Sequence, residues 1–433
     1  MRDKPSCGAV TIQMTRGTLL ILIAALLCPW AIILLVNSPS KFQQINPAVA
    51  LERHAKLHQM VPVRNGPWGD LRRVRIVTEP PAESLASYLK YDKPTWLFKG
   101  YTPETYDKLL ASAALSDTQR AALKEAAKWG PPGEGCIVIP PDDLVISLTP
   151  QSRAVLYGAL SLFPENTFQN EPFRYHAEFE HEWLDGSTAP KEVLDKVKRL
   201  MYRRGRTLLF SDPHLVLPEL PSDQERVRLL KTLARQSTLM VFLHISQGAD
   251  TFSLLNYWAP REGRAKNIAP LLDSASRIEG GVDIDIVHLL PRFARKRLYT
   301  YPTTDGDAGE TIYDCHWNTM NFWNDPPDNR FADSAFVIQT LETEYEPVLD
   351  DFRFGDIILF MKSETQAIHS AIFIADDIVF TKNGPSQHSP WIFMQMDMLI
   401  SHYETNVDLS IRGYRKIKKQ APDEATFLAE LKR

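Results

Sequence analysis

The chain predicts an α+β fold preceded by one membrane-spanning helix, and three observations carry that reading. An uncharged apolar run stands near the start, apolar residues at helical spacing fill the middle, and short β-branched and aromatic runs separated by turn chemistry fill the last third. These divide the sequence into a tail (1–16), a spanning helix (17–37), a tether (38–72), a mainly helical region (73–300) and a C-terminal domain (301–433).

The first element rests on length. The stretch from Gly17 to Ser40 is uncharged and contains LLILIAALLCPWAIILLV, which meets the roughly 20 apolar residues needed to cross a hydrocarbon core. A secretory signal is the competing reading, because Arg2, Lys4 and Arg16 precede the run; the run is longer than a usual signal core, which favours an uncleaved anchor. Leu27 stands before Cys28 where a lipid-modified cysteine needs a small residue. The basic tail should stay cytoplasmic, giving a single-pass membrane protein in contact with the lipid bilayer through 17–37, its C-terminal bulk extracytoplasmic.

Beyond the tether, RVRIV at 73–77 reads as a strand stopped by Pro80 and Pro81. Helices are expected in TPETYDKLLASAAL and SDTQRAALKEAAKW, each opening on a capping Thr or Ser, and in TPQSRAVLYGALSLF, with Thr149 as cap and Pro150 in the first turn. APKEVLDKVKRLMYRRG and PSDQERVRLLKTLARQSTLMVFLHIS continue the helical pattern. No internal repeat is present. The texture changes after a turn-rich linker at Tyr301-Pro302-Thr-Thr-Asp-Gly-Asp-Ala-Gly. DIILFM (356–361), HSAIFIADD (369–377), IVFTKNG (378–384) and VDLSIRGYRK (407–416) then predict a small antiparallel sheet.

Composition narrows the function classes. With 44% apolar and 24% charged residues the chain can bury a core, and a net charge of −4 with scattered basic residues gives no reason to expect nucleic acid as a partner. Among the four cysteines, only Cys136 and Cys315 lie in the globular part, enough for one bridge. His176 and His181, with Glu178 and Glu180 between them, lack the i, i+4 spacing of helical zinc motifs and read as a solvated face. No Gly-rich phosphate loop, serine elbow or paired-cysteine zinc pattern occurs, so neither a metal nor a cofactor is predicted.

Chemistry concentrates around Tyr313-Asp314-Cys315-His316-Trp317. A helix over CHWNTMNFW, capped by Asp314, puts Cys315 in its first turn, where the partial positive charge of the helix end favours a thiolate. A reactive cysteine also needs an imidazole held in the right tautomer. His369 begins an apolar strand and Asn383 ends the next, with Asp376-Asp377 turning the hairpin between them. His316 adjoins Cys315 but cannot face it along a helix, so it reads as a packing or groove residue. His388 and His402 stand in reserve as bases.

This order of Asp-Cys at a helix start, Phe-Gly-Asp-Ile-Ile-Leu-Phe, then His before alternating apolar residues and a return strand, resembles the NlpC-type papain-like cysteine peptidases from Tyr313 to Arg415, roughly a quarter of the chain. The resemblance implies Cys315 as nucleophile, His369 as base and Asn383 as orienting residue. The chain departs from the family in having His316-Trp317 where Ser-Gly is usual. Ser370-Ala371 keeps a small pair after the histidine. The family's spacing for the third residue falls on Thr381 or Lys382; Asn383 is preferred for its carboxamide oxygen, which can accept the imidazole proton.

Two functions follow as expectations. One is a membrane-anchored cysteine hydrolase cleaving an amide through a thioester, with the Cys315 amide and the Tyr313 hydroxyl as oxyanion donors, Trp317 in the substrate pocket, and a peptide, peptidoglycan included, as partner. The other is a membrane-tethered binding or assembly protein whose papain-like domain is inactive.

Overall fold

The computed structural model describes residues 59–89, 94–261, 263–302, 314–403 and 409–417. Strands β1 (Val61–Pro62) and β2 (Asp70–Thr78) open the described chain. β3 (Trp96–Phe98), β4 (Ala127–Trp129) and β5 (Cys136–Val138) form a three-stranded sheet in the order β3-β5-β4. β6 (Phe173–His176), β7 (Tyr202–Arg204) and β8 (Thr207–Phe210) form another, in the order β6-β8-β7. β9 (Gln236–Ile245) then returns to pair antiparallel with β2 along its whole length, and β10 (Val282–Asp285) completes the sheet β1-β2-β9-β10.

The remaining strands are β11 (Tyr345–Val348), β12 (Ile357–Ser363), β13 (Gln366–Ala375), β14 (Ile378–Lys382), β15 (Trp391–Gln395) and β16 (Ser410–Lys416). They build a six-stranded antiparallel sheet in the order β11-β16-β12-β13-β14-β15. As expected, Asp376-Asp377 turns the β13–β14 hairpin, with Ala375 paired to Ile378 and Asp376 in the left-handed region at φ 52°, which a short polar side chain tolerates.

Several helices form where capping residues announce them. Pro103–Ser112 and Asp117–Glu125 carry capping boxes, Thr102 with Thr105 and Ser116 with Gln119, which satisfy amides that a helix start leaves unpaired. Thr149 caps Pro150–Leu160. Three expected helices do not hold to their ends: two stop at Glu125 and Leu200 and give way to β4 and β7. After Asp223–Leu233 the sequence QSTLMVFLHI is β9, because Leu239, Val241, Leu243 and Ile245 are buried at every second position, the period of a strand.

Three corrections follow. The region 73–300 keeps more helix than strand but is not built of helices alone, since three of the four sheets among the described residues lie within or begin just before it. The strand expected at 73–77 begins at Asp70, and the short β1 precedes it, both inside the expected tether. The fold class is α+β with four sheets rather than α+β with a spanning helix: among the described residues no helix is long and apolar enough to cross a membrane. Residues 17–37, where that helix was expected, lie outside the described residues. The single-pass, extracytoplasmic placement is set aside with it.

Two hydrophobic cores organise the described residues. One joins Val63, Leu71, Leu243 and Phe293 to Trp317, Phe360, Phe380 and Leu399, so it draws on both sides of the expected boundary near 301. The other lies among the two three-stranded sheets and their helices, from Leu85 to Ala234. At its heart the buried Arg153 guanidinium meets the Asp212 carboxylate at 3.3 Å, and Tyr157 donates to the same carboxylate at 2.7 Å.

The outer edge of β15 is occupied by neighbouring parts of the chain. Tyr299 N–H donates to the Trp391 carbonyl at 2.7 Å and Trp391 N–H to the Thr300 carbonyl at 3.1 Å. Two residues on, the Thr238 hydroxyl from β9 accepts from Phe393 N–H at 3.1 Å and donates to the Phe393 carbonyl at 3.0 Å. On the opposite edge, β11 carries Pro347.

Candidate functional site

The site is assembled where a short helix, Cys315–Met320, packs on β13 and β14. Asp314 caps the helix by accepting from Trp317 N–H at 2.7 Å, so Cys315 occupies its first turn with little exposed surface (6%). Both Cys315 and Cys136 are free thiols. Cys136 sits in β5 and burial pushes its thiol up to about 11, which keeps it protonated and unreactive. The bridge between them that the cysteine count left open is not formed.

Ser370 on β13 fastens the helix to the sheet. Its hydroxyl donates to Thr319 Oγ1 at 3.0 Å and therefore accepts from His316 Nδ1, also at 3.0 Å. His316 is thereby committed to packing. Burial pushes its pKa down against the pull of Asp314.

His369 is fully buried, its ring stacked on Tyr403 at 4.1 Å and 19° and tilted against Phe360. Its Nε2 meets Thr381 Oγ1 at 2.8 Å, and Thr381 in turn donates to Asn383 Oδ1 at 3.2 Å. Asn383 spends its amide hydrogens toward Met394 Sδ at 3.1 Å. The direction of the protons follows: a carboxamide oxygen can only accept, so Thr381 gives its proton to Asn383 and has only lone pairs left for the ring. Nε2 must then carry the imidazole proton, and among the described residues Nδ1 holds a lone pair with no hydrogen-bond partner, the Cys315 thiol included. A buried nitrogen left without a partner costs roughly 1–3 kcal/mol and calls for an explanation.

The five residues singled out by sequence fare differently. His369 and Asn383 belong to one hydrogen-bonded chain, and Cys315 begins the helix packed on the strands that carry them. Trp317 is fully buried against Phe293 at 5.4 Å between ring centres, under the Arg297 guanidinium, so among the described residues it packs as a core residue. Tyr313 lies outside the described residues.

Thr381 is the residue that sequence reasoning passed over. Carrying the Ile372–Phe380 register onward would set Asn383 across from His369, but pairing between β13 and β14 stops at Ile372, and the diagonal neighbour reaches the ring. Its signal was the family spacing, which fell on Thr381 or Lys382.

Lys382 is also part of the site. It has no exposed surface, donates to the Gly384 carbonyl at 2.6 Å and the Ser386 carbonyl at 3.0 Å, and stands in the field of Cys315 and Asp314. Burial pushes its amine down to about 7, against the opposing pull of those two groups. Two carbonyl acceptors match the two N–H groups of a neutral amine.

Beyond Asn383 and Tyr403 opens a cavity of about 140 Å³, whose walls also include Arg174, Ser386, His388 and His402. The reserve bases lie here. Burial holds His388 down to about 4, and His402 well below the usual imidazole range. Comparison with known proteins adds no relative: no family model, no curated protein and no solved structure matches this chain.

Proposed function

We propose that this chain is a cysteine hydrolase that cleaves an amide bond by way of a thioester, with Cys315 as nucleophile and His369 as base. The observation that carries the reading is the lone pair on His369 Nδ1, left unpartnered among the described residues in a buried ring whose other nitrogen is fixed by Thr381 and Asn383. Such a ring is a base awaiting a proton.

In the reaction, the Cys315 thiol gives its proton to Nδ1 and the sulfur attacks the carbonyl carbon, forming a tetrahedral oxyanion near the Cys315 backbone amide. Nδ1 then protonates the departing amine as the C–N bond breaks. Water hydrolyses the thioester, giving one proton to Nδ1, and that proton returns to sulfur when the acid leaves. The NlpC-type resemblance suggests a peptide amide as substrate, cell-wall peptide included.

Burial favours a second reading, an inactive papain-like scaffold that binds a partner, because Cys315 is 6% exposed and His369 not at all. One experiment separates the two. A thiol-reactive activity probe should label the folded protein at Cys315, and His369→Ala should slow labelling by about 100-fold, the usual worth of a positioned base. Labelling only after denaturation, or a rate indifferent to His369→Ala, moves the weight to the scaffold.

A further inference from the structure

The cavity behind the relay has an uneven balance of charge. Arg174, on β6, points a largely enclosed guanidinium into it, yet among the described residues Arg174 makes no ion pair; its one hydrogen bond is a long one, 3.5 Å to the His402 carbonyl. Arg174 depresses both His388 and His402, and a second guanidinium, Arg204, opposes the charge on Arg174 itself. The acid in the wall is Glu171, which is exposed and more than 4 Å from the guanidinium, since no ion pair joins them.

A guanidinium in low-dielectric surroundings without an anion is costly, and the fork of donors it offers fits a carboxylate. The rest of the wall shapes what carries that carboxylate. Phe173, Leu233 and Ala234 supply apolar surface, while Ser386 and His388 offer hydroxyl and imidazole groups. A volume of about 140 Å³ takes a group near the size of benzene. That is a carboxylate on a short aliphatic stem.

We infer that this cavity is a subsite for a small organic carboxylate, held by Arg174 with its aliphatic stem against Phe173 and Leu233. The assignment of that carboxylate to a substrate rests on the hydrolase reading, because Tyr403 lines the cavity and stacks on the His369 ring, and Asn383 lines it and accepts from the Thr381 hydroxyl that meets that ring. The substrate is then an amide whose acyl or amine part bears a free carboxylate a few carbons from the scissile bond.

The test is equilibrium binding to the full chain, which needs no turnover. Calorimetric titration should find pentanoate bound and pentanamide weaker by about tenfold or more, the loss expected for one charge-assisted hydrogen-bond pair. Arg174→Gln should abolish the difference between acid and amide. Arg174→Lys, which keeps the charge but not the fork, should lie between them and serves if the glutamine variant does not fold. Equal affinity for acid and amide in the wild type overturns the inference, as does tighter binding of inorganic phosphate than of pentanoate. Pentanoate binding with no thiol labelling at Cys315 keeps the subsite and removes the hydrolase; labelling without acid selectivity does the reverse.

Discussion

At the scale of single residues, Thr381 and Asn383 divide one task. Thr381 touches the imidazole and Asn383 only sets which way the threonine proton points. Thr381→Val, which keeps the shape and removes the hydroxyl, should therefore lower kcat more than Asn383→Ala, by about 10- to 100-fold as outer-shell partners typically do. Steady-state kinetics on the two variants decides it; an equal or reversed order would detach the relay from the base. Lys382 makes a second prediction, in pH. Its amine titrates near 7 in the folded chain and near its usual 10.5 when unfolded, so between those values the unfolded state binds the extra proton. Stability should rise with pH across that window, by about 2 kcal/mol from pH 7 to 9. Denaturant midpoints compared with Lys382→Met cancel the other titrations, and an identical slope in the variant would remove Lys382 as the cause.

Among elements, legibility tracked how much of each signal was local. Capping boxes and the Asp376-Asp377 turn are written within a few residues, and the helices and hairpin they announce are present. β9 was misread because Met240 and Phe242 fill the alternate positions with apolar side chains and blur a period-2 pattern into a helical one. Strands of three or four residues, β3 to β8, carry too little pattern to register at all. The reach of Thr381 across to His369 depends on where β13 and β14 stop pairing, which no residue spacing reports. The contact of β9 with β15 is likewise a property of two distant segments, and its strength can be measured. Thr238→Val leaves the Phe393 N–H and carbonyl buried without their shared partner, at a cost of about 2 kcal/mol. A chemical-denaturation ΔΔG near zero would show that other contacts hold the two sheets together.

For the whole molecule, the shared core is what the sequence could not display. A composition change near 301 suggests a domain border, yet Phe293 and Leu243 pack with Trp317 and Phe380, and the Tyr257 hydroxyl donates to the Ile374 carbonyl at 2.7 Å. Residues so far apart along the chain, 117 positions for Tyr257 and Ile374, carry no mark of their partnership.

The closed edge of β15 has a consequence for recognition. Many peptide-binding proteins receive an extended ligand by letting it join a sheet as one more strand, which requires a row of free backbone groups. Here the groups that Trp391 and Phe393 turn outward are taken, by Tyr299 and Thr300 at one position and by a single hydroxyl at the next. That hydroxyl stands in for the peptide unit a visitor would have brought. At the far side, Pro347 withholds a donor from anyone arriving. At the β15 edge a peptide therefore meets a filled register, and recognition there must be exercised on side chains and end groups rather than on the ligand's main chain.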